Sequence, residues 1–178
     1  MLNLTKSKYK YEDLLLILGI LTTFAILYLF YDFNPLLTVF GIFIALFYIR
    51  LIQGQYLGNA LQASNKHFFS LKQIIEDQSK SLNIKEPKLF IYQDPYPNAF
   101  TIGYKNPYSI VLSSSLVEGL GEEELEAVIA HELGHVRFSH SKVLSIVSPA
   151  GRNMPFFTWI FGFWQRAAEM TADRVSLM

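Results

Sequence analysis

The chain has no cysteine, which excludes disulfide staples and removes thiolates from any set of metal ligands. It has no surplus of charge of either sign, with 15 Lys and Arg against 15 Asp and Glu. Without a basic surplus there is no electrostatic footprint for nucleic acid, and none is expected as a partner. No internal repeat and no low-complexity linker is present, so solenoids and tethered arrays are excluded as well. Apolar side chains are what the sequence has in quantity, 51% of 178 residues, and many of them crowd toward its start.

Leu14 to Tyr31 is an uncharged run of eighteen residues, long enough as a helix to approach the ~30 Å hydrocarbon thickness of a bilayer. Leu36 to Ile49 is shorter, but Arg50 can snorkel and let Leu51 and Ile52 extend the span. Between them, Asp32-Phe33-Asn34-Pro35 reads as a tight polar turn. The pair therefore predicts a transmembrane hairpin in contact with a lipid bilayer. A secretory signal is the rival reading of the first run, given Lys6, Lys8 and Lys10 ahead of it. Against it, no small-x-small cleavage site follows and a second apolar run comes at once. Basic residues also orient the hairpin: Lys6, Lys8 and Lys10 precede it, Arg50 and Lys66 follow it, and the turn carries only Asp32. Both ends are expected on the cytoplasmic side of the cell membrane, crossed twice. The roughly 125 residues that remain are enough for one domain with a single core.

That domain contains His131-Glu132-Leu133-Gly134-His135. Residues four apart on an α-helix lie about 40° apart around its axis, so both imidazoles can hold one metal from the same face. Glu132, beside the first of them, is placed to take a proton from a water at that metal. The surrounding residues read as helix: Leu125, Val128, Ile129, Leu133 and Val136 recur at three- and four-residue spacing. Glu122, Glu123 and Glu124 open it, where negative charge meets the positive end of the helix dipole.

A metal site that keeps a position open for water needs a third protein ligand. His140 lies five residues past His135 and would point about 140° away on a continuing helix. Ser141 stands where a longer zinc motif has its third histidine. His140 is accordingly read as a surface residue or one standing behind the ligands. Glu169, within Arg166-Ala-Ala-Glu-Met-Thr-Ala-Asp173, is the better candidate. Asp173 shares its helical face and can accept a hydrogen bond from a ligand imidazole, fixing its tautomer. An ordinary solvated acidic face is the alternative reading of that spacing. His67, alone with no acidic neighbour, is read as structural. Two imidazoles and a carboxylate favour zinc among divalent metals.

At these residues the chain resembles the M48 metallopeptidases, the group of the HtpX and Ste24 proteases. The likeness rests on His131–His135 followed by Glu169-x-x-x-Asp173. It extends upstream: Pro97-Asn98-Ala99-Phe100-Thr101-Ile102-Gly103 resembles the family's Asn-Ala-Phe strand, and Ser113 to His131 resembles the stretch leading into its zinc helix. The resemblance implies one Zn2+ per chain held by His131, His135 and Glu169, with Glu132 as general base and Asp173 behind a ligand. It also implies that Asn98, Ala99 and Phe100 line a groove for a polypeptide substrate, which by the same likeness is a membrane-associated or misfolded protein. The family continues beyond its Glu-x-x-x-Asp helix and supplies a transition-state residue there, whereas this sequence ends five residues after Asp173. The expectation is a complete zinc site in a shortened active site, with Arg166, Arg174 or Tyr104 as candidate substitutes, each otherwise an ordinary surface residue.

The rest of the domain follows from periodicity. Gln53 to Leu82 alternates in a helical fashion, with Leu57, Leu61, Phe68, Leu71, Ile74 and Ile75 as the buried stripe of a helix or helix pair. Lys88–Tyr92, Ala99–Tyr104 and Ser109–Ser113 read as short strands, and turn-like joins between them predict a small antiparallel sheet. An edge of that sheet can take an extended peptide by main-chain hydrogen bonds. Ser115-Leu-Val-Glu118 fits a capping box. In the insert 142–164, Pro149, Gly151 and Pro155 interrupt, and the aromatic run Pro155–Trp164 is too short to cross a bilayer. An interfacial segment or an apolar lid is favoured over a re-entrant loop. The expected fold is α+β: a transmembrane helical hairpin, then a mainly helical zincin-like domain with a small antiparallel sheet. Its expected divisions are a membrane anchor at 1–52, a connecting helix at 53–82 and a zinc peptidase domain at 83–178.

Two functions compete. One is a membrane-anchored zinc-dependent endopeptidase. The other is a catalytically weak, zinc-stabilised membrane module that binds proteins, or one whose site is completed by a partner or by a homo-oligomer.

Overall fold

A computed structural model describes residues 8–64 and 67–177. Lys6 and Lys66, two of the basic residues used to orient the hairpin, lie outside the described residues. Two helices open the chain, α1 (Glu12–Phe33) and α2 (Pro35–Gly58). Both are apolar on every side and expose nearly all of that surface, with Glu12 and Gly19 buried on α1 and Ile49, Ile52 and Gln53 on α2. Helices of 22 and 24 residues with such surfaces suit lipid rather than a protein core. The turn is tighter than expected because α1 runs on through Asp32 and Phe33. Asn34 alone breaks it, its side-chain oxygen accepting from the Leu37 N–H at 3.0 Å while Pro35 opens α2.

The sheet has four strands, β1 (Ala60–Gln62), β2 (Lys88–Tyr92), β3 (Ala99–Ile102) and β4 (Ser109–Ser113), in the order β1-β2-β4-β3. The α+β class holds, but the sheet is mixed rather than antiparallel. β2 and β4 run parallel, with Lys88 opposite Ser109 and Tyr92 opposite Ser113, while β1–β2 and β3–β4 are antiparallel. The reason lies in β4. Ile110, Val111 and Leu112 are all fully buried, so this strand needs cover on both faces and takes a central place between β2 and β3. That leaves β3 on the edge.

Strand β1 was not foreseen. It sits in the stretch predicted as a helix or helix pair, and Leu61, assigned there to the buried stripe, is exposed. Phe68 is also largely outside the core, whereas Leu71, Ile74 and Ile75 are buried on α3 (Phe69–Ser81).

Among the described residues four more α-helices follow, α4 (Ser114–Gly119), α5 (Glu122–Arg137), α6 (His140–Val147) and α7 (Pro155–Ser176), with a 3-10 turn at Pro149–Gly151 before the last. The cap of α4 is Ser113, whose Oγ accepts from the Leu116 N–H, so a single N-cap bond two residues earlier stands in place of the expected capping box. Ile129 and Leu133 of α5 pack on Ile110 and Leu112 of the sheet and Ile75 of α3. Burial of each such side chain contributes roughly 1.5–3 kcal/mol.

The aromatic run is neither lid nor re-entrant loop. Pro155 starts α7, and Phe161 and Trp164 pack with Val147 and Ala168 against Leu15 and Leu16 of α1. The extra length comes from the residues after Trp164, whose small Ala167, Ala168 and Ala172 continue the same buried face. Phe156, Trp159 and Phe163 remain exposed. A second link to the hairpin is polar: the buried Gln53 of α2 donates its Nε2 to the Ser145 carbonyl at 2.8 Å.

Candidate metal centre

Helix α5 begins where Glu124 reaches back to accept from the Gly121 N–H at 2.8 Å. Its apolar face is fixed against the sheet, which turns His131 and His135 toward α7. Gly134 lets α7 come close. A Cβ on it would lie 3.1 Å from the Ala172 Cα and 3.3 Å from the Val175 Cβ, so any larger residue would push the helices apart.

This approach brings the two sequence segments together. His131 Nε2 lies 3.1 Å from His135 Nε2 and 3.1 Å from Glu169 Oε2, and Glu169 Oε2 lies 3.6 Å from His135 Nε2. Donor atoms of the three residues all fall within 4.8 Å of one another. Asp173 Oδ1 is 2.9 Å from His131 Nδ1, and His135 Nδ1 is 3.0 Å from His140 Nδ1. Both Nδ1 atoms are thus engaged from behind, and both Nε2 atoms converge with one carboxylate oxygen. A cation satisfies three such acceptors at once; the donor set fits a divalent metal with a nitrogen and oxygen preference.

The electrostatics agree with that crowding. Burial pushes the His131 imidazole down, but its hydrogen bond to Glu169 and the charges of Glu132, Glu169 and Asp173 outweigh this, and its pKa is raised above 6.5. Burial pushes Glu169 up, and the hydrogen bonds and charges of His131 and His135 overcome it, holding the carboxylate well below the usual range.

Glu132 is buried beside the cluster, and Thr101 Oγ1 donates to its Oε2 at 2.7 Å. Sequence reading passed over Thr101, although strand alternation was signal enough. On β3, Ala99 and Thr101 share the face toward α5, while Phe100 and Ile102 point the other way. Phe100 is 5% exposed and packs with Tyr56 and Tyr92, on the face of β3 away from α5. Asn98 turns back to its neighbours, its N–H donating to Ser113 Oγ at 2.9 Å and its carbonyl accepting from the Ser113 N–H at 2.9 Å.

His140 is not a surface residue. The angular argument assumed a continuing helix, but α5 ends at Arg137 and Ser139 adopts a left-handed conformation at φ 63°. The chain folds back and α6 starts at His140, which is buried against His135, Phe138 and Trp164. Burial pushes this imidazole down, and the hydrogen bond to Glu12 restores only part of the shift. Elsewhere, His67 is exposed and far in sequence from the cluster. Tyr104 donates weakly to the Ser145 carbonyl at 3.5 Å beneath Arg50, and Arg166 lies over Phe163.

Two imidazoles and a carboxylate drawn from two packed helices, with a buried glutamate next to the first imidazole, form the arrangement of a hydrolytic metal centre. Residues 65–160, 96 of 178, match the model of Peptidase family M48. The chain belongs to that family. The matched stretch contains His131, Glu132, His135 and His140, and Glu169 and Asp173 reach the site through α7. Among similar curated proteins is the plastoglobule-localized metallopeptidase 48 of the Arabidopsis thaliana chloroplast, 33% identical over 135 residues, covering 68% of this chain and 39% of the relative. A protease HtpX homolog from Thermoplasma volcanium is 30% identical over 160 residues, covering 82% and 51%. One from Helicobacter pylori reaches 46% over 63 residues, covering 35% and 20%. The chain thus spans about half the length, or less, of the curated relatives it matches. Family membership and the two exposed apolar helices together make this a membrane-associated member of a metallopeptidase family.

Proposed function

We propose that the chain is a membrane-anchored zinc-dependent endopeptidase whose substrates are membrane-associated or misfolded polypeptides. In this reading residues 1–52 anchor, 53–82 connect, and 83–178 carry the chemistry on the cytoplasmic side. The observation that carries it is the convergence of His131, His135 and Glu169 beside a buried, hydrogen-bonded Glu132. Zinc, when bound, supplies Lewis acidity. Glu132 takes a proton from the attacking water and later returns it to the leaving amine. Thr101 holds one oxygen of that carboxylate, which leaves the other for the proton. Among the described residues β3 is an edge strand paired only with β4, and its outer main-chain groups can align an extended peptide independently of side-chain identity. Selection by exposed, extended backbone favours unfolded segments, which is the link to misfolded substrates.

The test is cleavage of a loosely folded protein by the detergent-purified, zinc-loaded chain. Glu132→Gln should lower the rate by about 10²–10⁴, and a chelator should stop cleavage. One tightly held zinc per chain without any cleavage would refute the peptidase reading and favour a zinc-stabilised binding module.

A further inference from the structure

Glu12 is the first residue of the membrane helix α1, yet it is almost wholly buried in the catalytic half of the molecule. Its Oε1 lies 2.9 Å from His140 Nε2, and its Oε2 accepts from Thr171 Oγ1 at 2.5 Å. Lys8 stands 3.7 Å from Oε1. Thr171 lies two residues after Glu169 on α7, and its Oγ1 also accepts from the Tyr9 N–H at 3.0 Å. The start of α1 is therefore tied to the helix that carries the third candidate ligand. Apolar contacts reinforce the tie: Leu15 and Leu16 pack with Trp164 and Ala168, and Gly19 lies directly under the Phe161 ring.

The hydrogen bonds have a direction. A carboxylate only accepts, so His140 Nε2 carries the hydrogen that meets Glu12. A neutral His140 then has its lone pair on Nδ1, and this accepts from His135 Nδ1–H across 3.0 Å. His135 is left with its lone pair on Nε2, the atom that faces His131 and Glu169. Each link selects the tautomer of the next, and the last one aims a lone pair at the centre.

We infer that Glu12 is a positioning residue for the metal centre, acting through His140 on His135, so that metal retention depends on the seating of the first membrane helix. The inference rests on the metal-site reading above. Anchor and site are one hydrogen-bonded unit, and a change in how α1 sits against α7 alters the hold on the metal without touching a ligand.

The experiment is zinc affinity of the full-length chain in detergent, read by chelator competition. Glu12→Gln should weaken zinc binding by about 10–100-fold, with one zinc still bound at saturation. Asp13→Asn, at an exposed neighbour that also pairs with Lys8, should leave affinity unchanged. Equal affinity in wild type and Glu12→Gln overturns the inference and leaves the metal site standing; absence of zinc binding in wild type overturns both. Should Glu12→Gln fail to fold, the wild-type protein still decides. In the zinc-loaded state, imidazole nitrogen NMR should find His135 protonated on Nδ1 and His140 protonated on Nε2 alone. A His140 protonated on Nδ1 instead refutes the relay.

Discussion

The two imidazoles of the centre are held in opposite ways. His131 is 23% exposed at its side chain and leans on Asp173, itself 65% exposed and carried by the same helix as Glu169. His135 is 5% exposed and leans on His140, which leans on Glu12, at 2% and 3%. Both supports do the same chemical task of keeping Nε2 free to ligate. One is a single contact open to water, which can replace a lost partner. The other is a dry relay across three elements, where nothing can. The lesson is that two candidate ligands with matching geometry need not be equally fragile, and that the fragile one is tied to the first apolar helix.

The strongest way to break this comparison is to remove each imidazole. His131→Ala and His135→Ala should both abolish stoichiometric zinc binding in equilibrium dialysis. His135→Ala should also destabilise the metal-free protein more than His131→Ala does, by about 1–3 kcal/mol in denaturant titrations, because it strands the buried His140 Nδ1. Equal stability of the two variants would erase the distinction.

Next is the partner behind the exposed ligand. Asp173→Asn should weaken zinc binding by no more than about tenfold, the low end for such supports, and by less than Glu12→Gln. A larger loss than from Glu12→Gln, in the same chelator competition, would reverse the ranking.

A packing change sharpens the comparison from between the helices. Gly134→Ala forces the Ala172 backbone to shift by a few tenths of an ångström and should cost about 1–3 kcal/mol, with zinc affinity falling as Glu169 moves. Gly54→Ala, with open space around its Cβ position, should be neutral or stabilising; denaturant titrations of both variants check this.

The smallest effect is on pH. Raised above 6.5, His131 adds stability that is full below that value and lost as pH rises through its folded pKa. Glu169, lowered below 4.5, adds stability that is present above that value and lost as pH falls through its folded pKa. Their joint contribution to the metal-free protein should therefore be greatest between about 4.5 and 6.5. Zinc competes with the His131 proton, so loading should move the stability maximum upward in a pH series of thermal melts.

Much of this was legible beforehand, and the gaps have physical causes. The bounds of β2 and β4 follow from short aliphatic runs between turn residues, and the hairpin from uncharged length. The parallel pairing of β2 with β4 was not legible, because strand order depends on which strand needs cover on both faces. Short-range spacing singled out His131, Glu132, His135, Glu169 and Asp173, residues that the packing of α5 on α7 brings together. Thr101 was hidden in a motif known for its neighbours. Which of its two readings His140 takes, the one behind His135, is decided by one left-handed residue, Ser139, which no periodicity announces. Glu12 lay beyond any local reading, 128 positions from His140.

Helix α7 carries Trp159 and Glu169 on a single rod, ten residues apart. At 1.5 Å per residue this is a spacing of about 15 Å along its axis. Phe161 sits on Gly19 of α1, so the rod's first half lies along the apolar hairpin while its second half carries Glu169 to the imidazoles: one helix serves both the anchor and the candidate centre.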